Sequence, residues 1–463
     1  MSAFSDLLAK SKPTLWELAM DLARHFESAG GRMLLVGGTV RDLLLGQIPN
    51  ELDIEVQKLS AEEIKSSLQH RHSCDEVGKS FGVLRLKGKP VEIALPRTEV
   101  KSSSGHKGFT VKVNPFLSFA QAAERRDFTI NALGFDPLND ELLDPFNGKE
   151  DLNKGILRHI GPAFSEDPLR VLRGMQFIAR FDLSPTSETT SLCQGIELED
   201  LPSERLWEEW KKLILKGKNL FAGLCFLRAS KWLRHFPELE ALVGCEQDPE
   251  WHPEGDVWTH TLHCMNAFAR ERIGNEWEDL VVGFAVLCHD LGKPATTYRS
   301  DDGRIRSPLH EPRGEEPTRS FLSRLTNQKD LHEEVVPLVR RHLTPRIFYQ
   351  DQAGDGAIRR LARKVKRIDR LVRVASADIA GRPPRKDDFP EGPWLLKRAN
   401  DLKVVNEEPK PLVLGRHLIE RGLQPGPGFG PILKKCFEAQ LDGKFESERG
   451  GFAFLKQILS NMK

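Results

Sequence analysis

Apolar residues recur at helical spacing over residues 14–29 (TLWELAMDLARHFESA) and stop at Gly30-Gly31, which predicts an amphipathic helix. Over 34–56 the pattern shortens. A brief apolar run turns at Gly37-Gly38, passes into an amphipathic segment bearing Arg41, and ends in an acidic strand, Glu51-Leu52-Asp53-Ile54-Glu55. Strand side chains alternate, so Glu51, Asp53 and Glu55 share one face, where three acids repel unless water or a cation lies among them. Residues 60–68 open with a Ser60–Glu63 capping box and read as a helix. FGVLRLKG (81–88) and PVEIALP (90–96) read as strands joined by a hairpin at Gly88-Lys89. The polar, Gly/Ser-rich 97–114 reads as a mobile loop, 118–133 as a helix, and 134–148 as strands and turns.

Beyond about residue 151 the character changes. Residues 167–242 and 257–381 are helical in pattern, separated by a Pro/Gly/acid-rich stretch, 245–256, that reads as a linker. A second break at 381–393 precedes a tail with helical ends around GLQPGPGFG (422–430). The expected class is α+β, a small α/β head followed by helical modules. The densest basic run, RRLARKVKRIDRLVR (359–373), has a predicted buried face of Leu361, Val365, Ile368 and Val372. Its Arg359, Arg360, Arg363 and Lys364 are candidate phosphate contacts for RNA; the alternative is a solvated amphipathic helix.

Composition narrows the classes. The chain has 463 residues, 39% hydrophobic and 29% charged, with a net charge of +1, so no global basic field marks a nucleic-acid binder and any such site is a local patch. Seven Cys without a C-x-x-C pair exclude a zinc knuckle or disulfide framework and fit a reducing cytoplasm. No signal-peptide pattern and no stretch of about 20 apolar residues occurs, so no membrane partner is expected.

Nucleotidyl transfer needs cation charge between attacking and leaving oxygens, and donors that hold phosphates without blocking attack. Gly37 and Gly38 can bring backbone N–H groups to phosphate, and Arg41 can fork two donors to its oxygens. Glu51 and Asp53 are the candidate metal ligands, with Glu92 on a neighbouring strand as a third carboxylate; the pair Asp53/Glu55 is the alternative, and a solvated edge strand the bland reading.

GGTVRDLLLG with the acid-x-acid strand, RTEVKSSSGHKGF (97–109), ERRDFTINAL (124–133), DPFNG (144–148) and EDPLRVLR (166–173) stand in one order. That order resembles the class II tRNA nucleotidyltransferases, the CCA-adding enzymes and bacterial poly(A) polymerases with a polymerase-β-like head. The family usually carries Asp-x-Asp where this chain has Glu51-Leu52-Asp53. The resemblance implies Mg2+ at Glu51 and Asp53, CTP and ATP as substrates and tRNA as partner. It also implies that Asp167 and Arg170, three apart and so on one helix face, read the incoming base, since cytosine and adenine both show an amino group beside a ring acceptor. Arg126 and Arg173 are implied nucleotide contacts, Asp127 is implied to orient an Arg or the sugar, and Glu204 and Arg205 support the site. The loop 97–109 is implied to help the change from C to A selection.

A second constellation comprises His260 in WTHTLH, His289-Asp290 in VLCHDLGK and Asp378 in ASADIAGR. Imidazole and carboxylate together suit first-row divalent metals. The order resembles the HD phosphohydrolase superfamily, with His310 and His342 at two further positions used by some members. It implies Ni2+, Mn2+ or another divalent metal and activity on 2′,3′-cyclic phosphates, 2′-nucleotides and phosphomonoesters; a degenerate helical domain is the alternative. The expected domains are a head over 14–155, a helical neck over 156–245, an HD domain over 250–385 and a tail over 394–463. CCA addition is the leading function. CC-only or A-only addition, poly(A) synthesis, hydrolysis of RNA ends alone and RNA binding without catalysis are its rivals.

Overall fold

A computed structural model describes residues 3–69, 71–77, 83–101, 109–199, 201–384 and 388–461. The chain divides into two compact units, Met1–Leu213 with Ala222–His235 and Ile214–Phe221 with Phe236–Lys463. None of the described helices is long and apolar enough to cross a membrane.

The first unit is built on a mixed sheet. Its strands are β1 (Arg32–Val36), β2 (Leu52–Gln57), β3 (Cys74–Val77), β4 (Val83–Leu86), β5 (Val91–Ala94), β6 (Arg97–Lys101), β7 (Phe109–Val113), β8 (Gly134–Asp136) and β9 (Glu141–Leu143). Seven of them form one sheet in the order β3-β4-β5-β2-β1-β8-β9, while β6 and β7 form a separate ribbon. Within the sheet β2 and β5 run parallel and the other neighbours antiparallel. Leu52, Ile54 and Val56 of β2 and Val91 and Ile93 of β5 enter a core shared with Leu22 and Phe26 of the helix Pro13–Ser28. Alternation therefore turns Asp53 and Glu92 to the opposite face, where they stand directly across from each other in register. A one-residue slip would drive both acids into the apolar core, so burial of the aliphatic set fixes the acidic pair.

The sequence reading needs correction at three places in this unit. The stretch 97–114 forms the β6–β7 ribbon on either side of 102–108, which lie outside the described residues, as do 81–82 of the preceding hairpin. The expected helix over 118–133 is confined to Phe119–Ala123. Phe128 is extended (φ −126°, ψ 152°) and bridges to His159, and Thr129–Asn131 form one 3-10 turn. Side chains cause the break: Asp127 accepts hydrogen bonds from the Phe128 N–H and Asn131, in competition with helical bonding. Ala3–Ser11 forms a helix that the reading did not expect.

The second unit packs the helices Val257–Arg270, Glu276–Cys288, Lys329–Val339 and Ile368–Ala380 around a shared core. Buried Arg370 ties them together, bonded to Glu278 and Glu334. The stretch 245–256 is no linker, because Glu254 is fully buried against His252 and His260. The tail carries its own apolar cluster, which includes Leu418, Ile432 and Leu455. In the break at 381–393, residues 385–387 lie outside the described residues.

The basic run 359–373 is two helices, Asp355–Val365 and Ile368–Ala380, broken at Lys366 (φ 61°). Leu361, Val365, Ile368 and Val372 are buried as expected. Its arginines, expected as phosphate contacts, are engaged within the chain. Arg359 donates to the Leu441 carbonyl and pairs with Glu446. Arg360 pairs with Glu438 and Asp442, and Arg363 lies 3.7 Å from Glu438 and over the Phe437 ring. These guanidiniums hold the helix Phe429–Leu441 and its following turn. Lys364 stands near the like charges of Arg341, Arg340 and Arg360; burial first, then those charges, pulls its pKa down.

Candidate active sites

In the first unit the chain leaves β1 through Gly37, whose positive φ (62°) suits glycine. A Cβ there would sit 2.7 Å from Arg126 Nη1, so that guanidinium lies directly against the turn. Gly38 lies against the acids, its missing Cβ only 3.5 Å from Asp53 Oδ2. The Gly37 N–H does not face a ligand as expected; it donates to the Leu133 carbonyl.

Asp53 is the centre of this face. Its N–H donates to Thr39 Oγ1 at 2.9 Å. Burial, then the charge of Glu51, and less strongly that of Glu92, push its pKa up to about 6, against the opposing pull of Arg126 and Arg41. Glu51 is exposed at the strand entrance. Glu92 pairs with Arg85, which a cation would have to displace in part. Glu55 is fully buried, bonded to Gln57 and 4.0 Å from Arg126, and its charge is not among those that act strongly on Asp53. Among the neighbouring acids, Glu51 raises the Asp53 pKa most.

Arg41 is turned inward rather than forked toward phosphate. Only 5% exposed, it bonds to Asp42 and Asn131 and stacks 4.5 Å from the Phe181 ring centroid. Asp127 orients an Arg, as expected: its Oδ2 accepts from Arg173 Nε at 2.6 Å, and that guanidinium lies over Phe177.

The expected Asp167–Arg170 pairing is corrected. Pro168 restricts the residue before it to extended backbone, so Asp167 (φ −119°, ψ 103°) precedes the helix Leu169–Phe181 instead of lying on it. Arg170 points inward and donates to the carbonyls of Ala163 and Arg125. Asp167 instead pairs with Arg205 at 2.9 Å, with side chains 23% and 35% exposed, so an acceptor and a donor fork do stand together at the surface. Arg205, read from sequence as support, is the donor of that pair.

The second unit gathers His260, His289, Asp290 and Asp378, and brings His310 and His342 with them. The helix Glu276–Cys288 ends just before His289, which frees both His289 and Asp290 to face inward. The imidazoles are aimed in a common way. Nδ1 of His289, His310 and His342 donates to the carbonyl three residues earlier, of Val286, Ser307 and Val339, at 2.7–2.8 Å. His260 Nδ1 faces Glu254 Oε1 at 2.8 Å. A carbonyl only accepts, so Nδ1 carries the proton and Nε2 points to the centre. There Nε2 atoms meet in pairs, His260 with His289 at 3.3 Å and His310 with His342 at 3.3 Å.

Facing imidazole lone pairs repel unless a cation or a proton lies between them, so this donor set fits a divalent metal. Candidate ligand sets comprise His260, Cys264, His289 and Asp378 on one side and Asp290, His310 and His342 on the other. Asp290 faces both: Oδ2 is 3.2 Å from His289 and Oδ1 is 3.5 Å from His310. Burial alone would push the Asp290 and Asp378 carboxyls up. His289 with Lys293 holds the first, and Arg382 with His260 the second, well below the usual carboxylate range. Burial, then the charges of His289 and His310, pulls His342 down to about 3, so it is a neutral ligand at physiological pH. The His260 pKa is lowered by burial but raised more by Cys264, Asp378 and Glu254, ending well above its ordinary value.

Several of these groups escaped the sequence reading. Lys293, in the HDLGK block, bonds to Gln247 Oε1 and pairs with Asp290 at 2.7 Å. Arg382 pairs with Asp378 at 2.8 Å. A signal existed for Lys293 and Arg382, each three or four residues after an expected ligand; His252 and Glu254 lay in a stretch read as linker.

Comparison with known proteins covers the segments that carry both constellations. Residues 33–158 match the Poly A polymerase head domain, and residues 257–374 match the HD domain. The Multifunctional CCA protein of Xylella fastidiosa (strain 9a5c) is 36% identical over 387 residues, 80% of this chain and 89% of that protein. Its counterpart from Xanthomonas campestris pv. campestris (strain B100) is 35% identical over 419 residues, 87% of this chain and 96% of that protein. Among solved structures, the Bacillus stearothermophilus CCA-adding enzyme in complex with CTP superposes with a TM-score of 0.66 at 21% identity, covering 96% of this chain and 97% of that one. The Thermotoga maritima CCA-adding enzyme complexed with tRNA gives 0.60 at 21% identity, covering 99% and 98%. At that identity the two structures speak for the fold alone.

Proposed function

From the premise that the chain belongs to the multifunctional CCA proteins, we propose that its first unit adds C, C and A to tRNA 3′ ends from CTP and ATP with release of pyrophosphate, and that its second unit hydrolyses phosphoesters. The observation that carries the first activity is Asp53, flanked by Glu51 and Glu92 and lying against the Gly37-Gly38 turn. Glu51 and Asp53 would hold Mg2+, which when bound supplies positive charge at the reacting phosphate. The terminal ribose hydroxyl of the tRNA attacks the α-phosphate, and pyrophosphate leaves. Gly38 keeps the approach to Asp53 open, and Arg126, held by the Asn131 carbonyl, places positive charge beside the triphosphate. Arg173, oriented by Asp127, is a further nucleotide contact. Asp167 and Arg205 present an acceptor beside a donor fork, which suits the amino group and ring acceptor shared by cytosine and adenine and disfavours uracil and guanine.

In the second unit, Ni2+ or Mn2+ held by the imidazoles, Asp290 and Asp378 would supply Lewis-acid polarisation of the phosphoester and of water. Lys293 and Arg382 fix the two carboxylates, and Glu254 fixes the His260 tautomer. The substrates are 2′,3′-cyclic phosphates, 2′-nucleotides and phosphomonoesters, such as damaged RNA ends in the cytoplasm.

The test is incubation of the full chain with tRNA lacking the terminal A, CA or CCA, in the presence of each labelled nucleotide. Addition that completes CCA and then halts is the expected result. Continued A tails would replace the reading with poly(A) synthesis, and addition of only C or only A with a half-enzyme.

A further inference from the structure

The centre of the second unit opens on a cavity of about 250 Å³ whose wall includes Asp290, His310, His342 and Asp378. A second cavity, of about 340 Å³, adjoins it. Trp251, Arg346 and Arg382 belong to the walls of both, so the two chambers meet across these side chains. Together they have the size of a small-molecule site, roughly 300–1,000 Å³. The first chamber holds the acids and imidazoles at which a phosphoester would react. That chemistry requires neither a second chamber nor an aromatic ring between the two.

Trp251 is firmly placed. The N–H groups of Trp251 and His252 both donate to the Asp248 carbonyl, at 3.1 and 2.8 Å. His252 is held in turn by buried Glu254, which also fixes His260. The indole thus rides on the turn that orients an imidazole of the centre. It is nevertheless 40% exposed, whereas Trp210, Trp232 and Trp258 are buried. The helix Thr344–Gln350 brings Arg346 and Tyr349, three apart and so on one face, to the second chamber. The Arg346 guanidinium lies 5.9 Å from the Trp251 ring centroid; it is exposed and, among the described residues, forms no ion pair.

Whatever fills the second chamber must be joined to a phosphate held in the first. A simple phosphate would leave it empty. An aromatic face beside an unpaired guanidinium suits a nucleobase on an anionic backbone, because every base has a face that stacks and a phosphate nearby that attracts the cation.

We propose that Trp251 is the stacking platform for the base of the nucleoside whose phosphate reacts in the first chamber, with Arg346 beside it, and that this makes the site select nucleotides and RNA 3′ ends over base-free phosphoesters. The inference deepens the phosphoester reading of the second unit and rests on it. The preference is for a base as such, since stacking is tolerant of base identity.

Hydrolysis by the full chain with Mn2+ provides the test, with adenosine 2′-monophosphate as the base-bearing substrate and glycerol 2-phosphate as the base-free one. The wild type should prefer the nucleotide. Trp251→Ala should narrow that preference, as a ratio of kcat/KM, by about 5- to 150-fold, through KM for the nucleotide more than through kcat. Trp251→Phe, which keeps an aromatic face, should recover most of the loss. Excess adenosine 2′-monophosphate should quench the tryptophan emission of the wild type more than that of Trp251→Phe, and inorganic phosphate should quench neither. A preference unchanged in Trp251→Ala, or equal quenching in wild type and Trp251→Phe, would overturn the platform while sparing the site. No hydrolysis by the wild type, or hydrolysis that His289→Ala leaves intact, would overturn the phosphoester reading itself.

Discussion

Asp53, half-buried, and Asp290, buried, are acids in candidate metal sites, yet their surroundings push them in opposite directions. Burial and neighbouring carboxylates push Asp53 up to about 6. Asp290, also buried, is held well below the usual range by His289 and Lys293. The first site is a cluster of hard oxygens whose nearby arginines offset its repulsion only in part, so a cation that arrives with the nucleotide would relieve repulsion already present. The second carries fixed positive charge beside its carboxylates, from Lys293 and Arg382, and a resident metal there must compete with it. One chain therefore holds two ways of meeting a divalent ion, one suited to exchange at each turnover and the other to retention.

The sharpest way to break this comparison is to make the same substitution in both places. Asp53→Asn should abolish nucleotide addition, by more than about 10³-fold, while raising the melting temperature of the metal-free protein above pH 6. Asp290→Asn should abolish phosphoester hydrolysis and lower stability by about 3–5 kcal/mol, because it leaves buried Lys293 without its anionic partner. Thermal melts of both variants with chelator present check the opposed signs; a fall in both would remove the distinction.

A smaller effect follows pH. Between the ordinary carboxylate value and about 6, native Asp53 binds more proton than the unfolded chain, so its contribution makes the metal-free protein less stable as pH rises. Asp290 and Asp378 bind less proton in the native state, so theirs is present above the ordinary value and is lost as pH falls through their depressed native values. The apparent Mg2+ affinity of the first unit should fall about tenfold per pH unit below about 6, as one proton competes with the cation. Titration of Mg2+-dependent nucleotide binding at pH 5, 6 and 7 checks this. The smallest expected effect is that of Arg360→Ala, under about 1 kcal/mol on folding for a partly exposed pair. It should leave the salt dependence of tRNA binding unchanged, whereas loss of a phosphate contact would flatten the slope by about one.

What was legible in the sequence were local patterns and ordered motifs. The glycine turn and the alternating acids of β2 follow from spacing, and His260, His289, Asp290 and Asp378 from motif order; the fold brings each set together. What failed were inferences about where a charged side chain points. Arg41 and Arg360 looked like donors awaiting phosphate and Arg170 like a donor awaiting a base, but Asn131, Glu438 and the Ala163 carbonyl take them. Those partners lie 90, 78 and 7 positions away, and no periodicity reports them. Pro168 did carry a readable warning, since a residue before proline resists the helical backbone on which the Asp167–Arg170 face depended. Glu254 was hidden by the opposite error, a Pro/Gly-rich composition taken to mean exposure.

The anchoring of each imidazole to its own backbone has a mechanical consequence. His289, His310 and His342 are each clamped to a carbonyl three residues back, and His260 meets Asp378 across 118 positions of chain. An ion gripping these side chains therefore pulls on the main chain itself, with little slack from side-chain rotation. It would close loops of very different length at one knot and stabilise the folded unit by binding it and not the unfolded chain. An ion bound there would in that sense lace the second unit shut.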